Sequence, residues 1–161
     1  LARVLREFGD ERFAGRIARA IIAARPVETT TQLAEITRDA IPAPARRTGG
    51  HPAKRTFQAI RIEVNNELGV LPVALEAAID SLAPAGRLVV LSYHSGEDRI
   101  VKQVMRDAES GGCTCPTNLP CVCGAKSTVR LVRRSGTTPS AAEREGNPRA
   151  ESARLRIAER S

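Results

Sequence analysis

A short apolar run at residues 87–92 (RLVVLS) constrains the fold of this chain more than any other segment. It does not alternate apolar with polar residues, and such a run is typical of a strand covered on both faces, as in a parallel sheet. Polar sequence follows at once, and Ser95 and Asp98 have the spacing of a helix capping box. A buried strand that leads directly into a capped helix is half of an α/β unit. The sequence therefore predicts an α/β fold.

Helical periodicity dominates the chain before this strand. Apolar residues recur at helical spacing within 1–8, 13–24, 33–40, 57–68 and 71–82. Thr29 and Gln32 form a capping box ahead of the third segment. A loop rich in Pro, Gly and Arg follows at 41–51, so the first forty residues predict a small helical unit.

Two more strands are predicted after the helix that begins at the capping box of Ser95 and Asp98. Residues 129–132 form one of them, and 153–159 alternates Leu155 and Ile157 with charged side chains. The sequence between them is not a full crossover helix. We therefore expect an antiparallel, hairpin-like finish at the edge of the sheet.

The charge balance favours an anionic partner. Lys and Arg number 25 against 18 Asp and Glu, a net charge of +7, which indicates nucleic acid or, alternatively, only a solvated basic surface. Because the chain has neither an apolar run near the roughly 20 residues of a membrane span nor a visible signal peptide, we expect a cytoplasmic protein with no membrane partner. It begins at Leu1 in helical periodicity, without Met, as a fragment of a longer protein would.

The end of the first strand is a candidate ligand site. Ligands of open α/β sheets bind beyond the carboxyl ends of strands, and a helix start offers free N–H groups to an anion. Tyr93 has a ring that can stack on a base, and His94 can donate or accept a hydrogen bond or position a phosphate. The alternative is that Ser95 and Asp98 are ordinary caps and His94 is a loop residue without a ligand.

The predicted helix after His51 has a second candidate surface. Polar side chains lie on one face at spacings of four, three and four residues: Lys54, Gln58, Arg61 and Asn65. Apolar side chains form the opposite face: Phe57, Ile60 and Val64. The polar set suits phosphates and base edges, although an exposed solubilising face is the commoner meaning of such a pattern. For His51, a capping role and a functional role both remain open.

A cysteine loop at 109–125 raises the question of a metal. Its four thiols are Cys113, Cys115, Cys121 and Cys123. Four thiols in a short loop suit tetrahedral zinc, but C-x-C is not the commonest zinc spacing, and a loop of reduced, metal-free thiols is the alternative. Phosphate loops, G-x-G-x-x-G and H-E-x-x-H are missing from the sequence, so no complete active site is evident.

Five motifs in order give the chain a family resemblance: FGDERFAGRIARAI, HPAKRTFQAIRIEVNNEL, LAPAGRLVVLSYHSGEDRIVK, CTCPTNLPCVCG and NPRAESARLRIAER. Together they resemble the C-terminal half of the ribosomal RNA small-subunit methyltransferase H family. The resemblance implies transfer of a methyl group from S-adenosylmethionine to the exocyclic N4 of a cytidine in small-subunit ribosomal RNA. The rival interpretation is a non-catalytic, basic RNA-binding module, with or without a zinc staple.

The resemblance also implies an organisation and a site. Residues 1–50 would be a helical insertion that meets RNA, and 51–161 the C-terminal part of a Rossmann-like methyltransferase domain. The cofactor motif and the catalytic residues are expected upstream, so this chain would be inactive alone. The positions that match the family's motifs are the candidate substrate-facing residues: His51, Arg55, Gln58, Arg61, Asn65, Ser92, Tyr93, His94, Ser95 and Asp98.

Overall fold

Backbone contacts divide the chain after Glu67 into two units, 1–67 and 68–161. The computed structural model describes residues 1–47, 50–116, 118, 120 and 122–161. Their secondary structure is mixed, with helices and a small antiparallel sheet, which agrees with the predicted α/β class. The domain boundary at residue 50 that the family resemblance implied stays a prediction.

The first unit is helical. Its helices are α1 (Ala2–Gly9), α2 (Ala14–Ala23), α3 (Thr30–Ala40) and α4 (Lys54–Asn65), with a 3-10 turn at Ala43–Arg47. Aliphatic side chains from α1 and α2 form its core, and α3 and α4 pack against them. The predicted cap of α3 is confirmed, because the Thr29 hydroxyl accepts a hydrogen bond from the Gln32 amide at 3.1 Å.

Helix α4 buries a different face from the predicted one. Its buried residues are Thr56, Ala59 and Ile62, whereas Val64 is 76% exposed. The reason is a close helix contact, because a Cβ atom at Gly9 of α1 would lie 2.6 Å from a backbone oxygen of α4 and 3.2 Å from the Cβ atom of Ala59. Two small residues let these helices approach, so backbone proximity and not side-chain apolarity selects the face.

Gly9→Ala should destabilise the first unit by about 1–3 kcal/mol, the usual cost of overpacking a tight contact. Gly15→Ala in α2 is the matched control, since among the described residues its Cβ would meet only the end of the Arg19 side chain, at 3.7 Å. That control should be neutral or gain up to about 1 kcal/mol from helix propensity. Urea unfolding of both variants measures the difference, and equal stabilities would contradict the close contact.

The second unit carries the sheet. After α5 (Glu67–Asp80), which begins at the division, come β1 (Arg87–Ser92), α6 (Ser95–Ser110), β2 (Val129–Leu131), α7 (Ala141–Gly146), a 3-10 turn and β3 (Arg154–Arg160). The core lies between the helices α5 and α6 and the sheet, with these buried residues: Leu75, Ile79, Val101, Met105, Val129 and Ala158. Helix α5 runs through Pro72, so the predicted helical segments 57–68 and 71–82 are not divided between residues 68 and 71. Instead, α4 ends early, at a left-handed Asn66.

The strand order is β1-β3-β2, and β3 is antiparallel to both neighbours. The predicted antiparallel pairing of the last two strands is confirmed, but β3 lies in the middle of the sheet and not at its edge. The prediction that β1 is covered on both faces in a parallel sheet is wrong for this chain. Val89 and Leu91 are 56% and 49% exposed, while Leu88 and Val90 pack on the core. An unbroken apolar run does not show which face of a strand will be covered.

Across the described ranges, each helix is too short or too polar to traverse a lipid bilayer.

Candidate functional site

A basic cleft of about 270 Å³ lies in the first unit, beside the start of α2 and the start of α4. Its polar lining consists mainly of cationic side chains: Arg12, Arg46, Lys54 and Arg55, with His51. Glu11 is the acid in the described lining. Four cations beside one carboxylate make this cleft a candidate site for an anion.

Backbone carbonyls position two of these guanidinium groups. Arg55 donates to the Asp10 carbonyl at 3.0 Å. Arg46 donates to the Ile41 carbonyl at 2.6 Å and lies 3.8 Å from the Asp39 carboxylate. A carbonyl bond fixes the direction of a guanidinium without cancelling its charge. Arg55 therefore has a defined place in the cleft and keeps its positive charge for a ligand.

Arg12 and Lys54 are more available. The Arg12 guanidinium carbon lies 5.6 Å from the centroid of the Phe13 ring, which holds the cation over an aromatic face. Lys54 is exposed, and in the described part of the chain neither residue forms an ion pair. Glu11 is 5% exposed, and its carboxylate accepts a hydrogen bond from the Phe13 amide at 2.9 Å. The acid of the lining is thus occupied at the start of α2, while the cations face the cleft.

His51 acts both as a local cap and as a lining residue. Its Nδ1 accepts a hydrogen bond from the Ala53 amide at 3.2 Å, so the neutral ring carries its proton on Nε2. The side chain is exposed and lines the cleft. His51 therefore offers an N–H donor to an anion or a base edge.

The rest of the predicted polar face of α4 lies outside the cleft lining. Arg61 makes two hydrogen bonds with the Glu67 carboxylate, at 2.7 and 2.9 Å, and Asn65 donates to the same carboxylate at 3.1 Å. Gln58 is half-buried. Of the candidate residues on this helix and before it, the structure places His51 and Arg55 in the cleft, and Gln58, Arg61 and Asn65 elsewhere in the unit.

The turn between β1 and α6 is closed by its own side chains. His94 is the N-cap of α6, and its Nδ1 accepts from the Glu97 amide at 3.3 Å. The Glu97 carboxylate accepts in return from the amides of Tyr93 and His94, at 2.9 and 3.3 Å. The capping box is therefore His94 with Glu97, one residue before the predicted pair of Ser95 with Asp98. The two pairs have the same spacing, and only the backbone geometry distinguishes them.

Ser92 and Tyr93 differ in exposure at the end of β1. Ser92 is 2% exposed, and its hydroxyl has no hydrogen-bond partner among the described residues. Tyr93 is 54% exposed, so its ring is accessible for stacking on a base. The exposed Ser95 is the first residue of α6.

Asp98 is part of a half-buried ion pair that ties α6 to the centre of the sheet. Its two carboxylate oxygens accept from the guanidinium of Arg156 in β3 at 2.7 and 2.9 Å. This hydrogen bonding holds the pKa of the Asp98 carboxyl below its usual value, against the opposing effect of burial. Asp98 was predicted to face substrate, and in the structure its carboxylate is engaged by Arg156.

Three thiols converge in the cysteine loop. The sulfur atoms of Cys113, Cys115 and Cys123 all lie within 4.8 Å of one another. A hydrogen bond from the Val122 backbone, followed by one from the Cys123 side chain, lowers the pKa of the Cys115 thiol. Cys121, the fourth candidate ligand of the sequence, lies outside the described residues.

The junction between β1 and α6 does not form a binding site for S-adenosylmethionine. A nucleotide cofactor in a doubly wound sheet binds where a glycine-rich turn joins a strand to a helix. In this chain, β1 leads directly into α6, but the His94 ring and the Glu97 carboxylate occupy that junction. Glu97 and Asp98 also make the first turn of α6 acidic. No cofactor contact is therefore assigned to the residues of this chain.

The sequence interpretation missed four residues that organise these sites: Arg12, Arg46, Glu97 and Arg156. Arg12 is distant from the motif at 51–68 in sequence, and Arg46 lies in the loop before it; the fold brings both into the same cleft. Glu97 could have been found, because His94 precedes it at capping-box spacing. Arg156 carries no sequence signal, since its partner Asp98 lies 58 residues away.

Comparisons with known proteins match the whole chain. A family model described as the MraW methylase family matches residues 1–161. The ribosomal RNA small subunit methyltransferase H of Heliobacterium mobile is 52% identical over 162 residues, which cover 98% of this chain and 52% of that protein. The same-named proteins of Salinispora tropica and Frankia alni are 57% and 56% identical, over 99% and 100% of this chain and 44% and 50% of their own lengths. The chain thus spans about half the length of the curated relatives it matches.

Proposed function

Because the chain belongs to the MraW methylase family, we propose that it is part of an enzyme that methylates the exocyclic N4 of a cytidine in small-subunit ribosomal RNA, with S-adenosylmethionine as donor. The names of the relatives support the RNA substrate. The observation that carries the proposal is the basic cleft, since phosphate contacts dominate the affinity of proteins for nucleic acid. Such a substrate implies a cytoplasmic location.

The two parts of the chain take different roles in this proposal. Residues 1–50 form a helical insertion that recognises RNA, and 51–161 complete a Rossmann-like methyltransferase domain. The methyl donor supplies the activated methyl group, and it is bound by the part of the enzyme that matches the other half of the relatives. The residues of this chain hold the RNA, so their contribution to the rate is positioning.

In the first unit, the proposed partner is the phosphate backbone of the RNA. Arg55 and Lys54 contact phosphate oxygens from the start of α4, and His51 donates through Nε2. This arrangement suits single-stranded RNA or an RNA loop. The cleft has room for a phosphate group and its sugar but not for an RNA duplex.

Lys54→Ala should weaken RNA binding uniformly across sequences. It should also reduce, by about one unit, the slope of the logarithm of the binding constant against the logarithm of the salt concentration. Arg19→Ala is the matched control, because it removes the same charge from an exposed position in α2. Binding of a small-subunit RNA hairpin is measured at several salt concentrations. If both variants changed the slope equally, the net charge and not the cleft would account for binding.

In the second unit, Tyr93 stacks on the target base or a flanking base, once that base has left its helical stack. His94 contributes by fixing the turn that presents Tyr93. Direct contact of His94 with the substrate stays a prediction. Direct substrate contacts of Ser92, Ser95 and Asp98 stay predictions as well. In a chimera in which this chain replaces the matching half of the Heliobacterium mobile relative, Tyr93→Phe should keep the methylation rate and Tyr93→Ala should lower it. A rate unchanged in Tyr93→Ala would reject stacking.

The proposal is tested with a chimera in which this chain replaces the matching half of the Heliobacterium mobile relative. With labelled S-adenosylmethionine and small-subunit RNA, the chimera should transfer the label to a cytidine, and mass spectrometry of the digested RNA should place it on N4. The chain alone should bind RNA without transferring methyl groups. RNA binding by the chain together with an inactive, folded chimera would favour the non-catalytic RNA-binding module instead.

A further inference from the structure

The cysteine loop brings three thiols together at the separation that a metal ion would require. The sulfur atoms of Cys113 and Cys123 are 3.6 Å apart, and that of Cys115 lies within 4.8 Å of both. Zinc–sulfur bonds of about 2.3 Å at tetrahedral angles place two sulfur ligands about 3.8 Å apart. The observed distance between Cys113 and Cys123 is close to this value.

We propose that Cys113, Cys115 and Cys123 bind a zinc ion through their thiolates. Three sulfur ligands come from the described residues, and the fourth tetrahedral position is available to a further ligand. The described cluster contains sulfur donors alone, without His, Asp or Glu, and an all-sulfur set selects zinc over the oxygen-seeking magnesium and calcium ions.

A disulfide between Cys113 and Cys123 does not explain this arrangement of the three described thiols. A bonded pair of sulfur atoms is separated by about 2.05 Å, well below the distance between Cys113 and Cys123. A disulfide would also engage two sulfur atoms and leave the third beside them without a role. Three sulfur atoms around one point instead resemble the ligands of a single ion.

The backbone around the cluster supports a closed metal loop. Gly112 and Gly124 flank the cysteines and have φ angles of +73° and +70°, a conformation that lets the chain fold back on itself. The Val122 backbone also forms a hydrogen bond with the Cys115 sulfur. Such bonds orient and stabilise the thiolates of metal sites.

The ion would hold the middle of a loop whose ends are already fixed. The Gly112 amide donates to the Asp107 carbonyl at 3.0 Å, and the Thr128 amide donates to the Ala108 carbonyl at 3.0 Å. These bonds join both ends of the loop to the last turns of α6. Zinc would therefore order the loop between α6 and β2, which is a structural role.

The test is metal binding by the reduced chain of residues 1–161. Purified protein should contain one zinc ion per chain, and cobalt titration should produce the near-ultraviolet band of a cobalt–thiolate bond with the visible bands of tetrahedral cobalt, which zinc then removes. Loss of a group that only orients a ligand weakens metal binding by roughly 10- to 100-fold. Cys115→Ser and Cys123→Ser should therefore weaken cobalt binding by about 100-fold or more.

Thr114→Ser is the control, since it changes the same loop without removing a thiol, and it should bind cobalt like the natural chain. Circular dichroism verifies that each variant is folded. A folded protein with titratable thiols that gives no cobalt–thiolate band would overturn the proposal. Unchanged cobalt affinity in Cys115→Ser, or thiols that pair in disulfides in the presence of zinc, would overturn it as well.

Discussion

Gly111→Ala should lower the free energy of unfolding by about 2–4 kcal/mol, by combining a left-handed backbone cost of about 1 kcal/mol with an overpacking cost of about 1–3 kcal/mol. Gly111 ends α6 with a φ angle of +64°. A Cβ atom there would lie 2.4 Å from the carbonyl oxygen of Lys126 and 2.7 Å from its amide nitrogen. These are backbone atoms just before β2, so the clash cannot be relieved by rotation of a side chain.

Gly112→Ala is the matched control for this prediction. Gly112 has a φ angle of +73°, but a Cβ atom there would have no neighbour within 4 Å among the described residues. Gly112→Ala should therefore lower the free energy of unfolding only by the cost of the left-handed backbone conformation, about 1 kcal/mol. Urea unfolding, with equal m-values verified, compares the two. Equal losses would mean that the approach of Lys126 to the end of α6 contributes nothing.

Asp98→Ala should cost about 3 kcal/mol, because removal of one partner leaves the other charge buried without compensation. Arg156 is 9% exposed and lies in the central strand. The Asp98 carboxylate is its ion-pair partner, at 2.7 Å. The double variant with Arg156→Met should regain part of the loss, since an apolar side chain needs no counter-charge.

Asp39→Ala is the control for Asp98→Ala. Asp39 pairs with Arg38 at a similar distance of 2.9 Å, but both side chains are about half exposed. Exposed pairs contribute at most about 1 kcal/mol. Thermal or urea unfolding should therefore separate the two variants clearly, and similar losses would show that the Asp98 pair is no stronger than a surface pair.

The same pair predicts how stability responds to acid. The Arg156 hydrogen bond lowers the pKa of Asp98 in the folded state, so the folded protein holds this carboxylate charged more strongly than the unfolded chain does. The stabilisation is complete above the unfolded value near pH 4 and is lost as the pH falls through the lower folded value. Asp98→Ala should therefore lose less stability than the natural chain as the pH falls below about 4.

Local apolar patterns predicted most helices and the three strands of the described residues, because such patterns are contained in short stretches of sequence. They did not predict which faces pack. The buried face of α4 follows from the approach of Gly9 to Ala59, and a local pattern does not contain that distance. The capping box was misplaced by one residue for a related reason, since Ser is a commoner cap than His and Asp98 has a distant partner in Arg156. The basic cleft likewise joins Arg12 to Lys54 through tertiary packing alone.

Strand β3 is the last strand in sequence and the middle one in space. Among the described residues, β1 and β2 have no other strand to pair with, and the Arg87 side chain bonds a residue 72 positions later. While the polypeptide is being synthesised, residues 87–131 must therefore wait for residue 160 to leave the exit tunnel before they can form the strand pairs with β3. The helical first unit needs no such delay, because its contacts are complete once α4 has emerged, and it can fold while the remainder is still being translated.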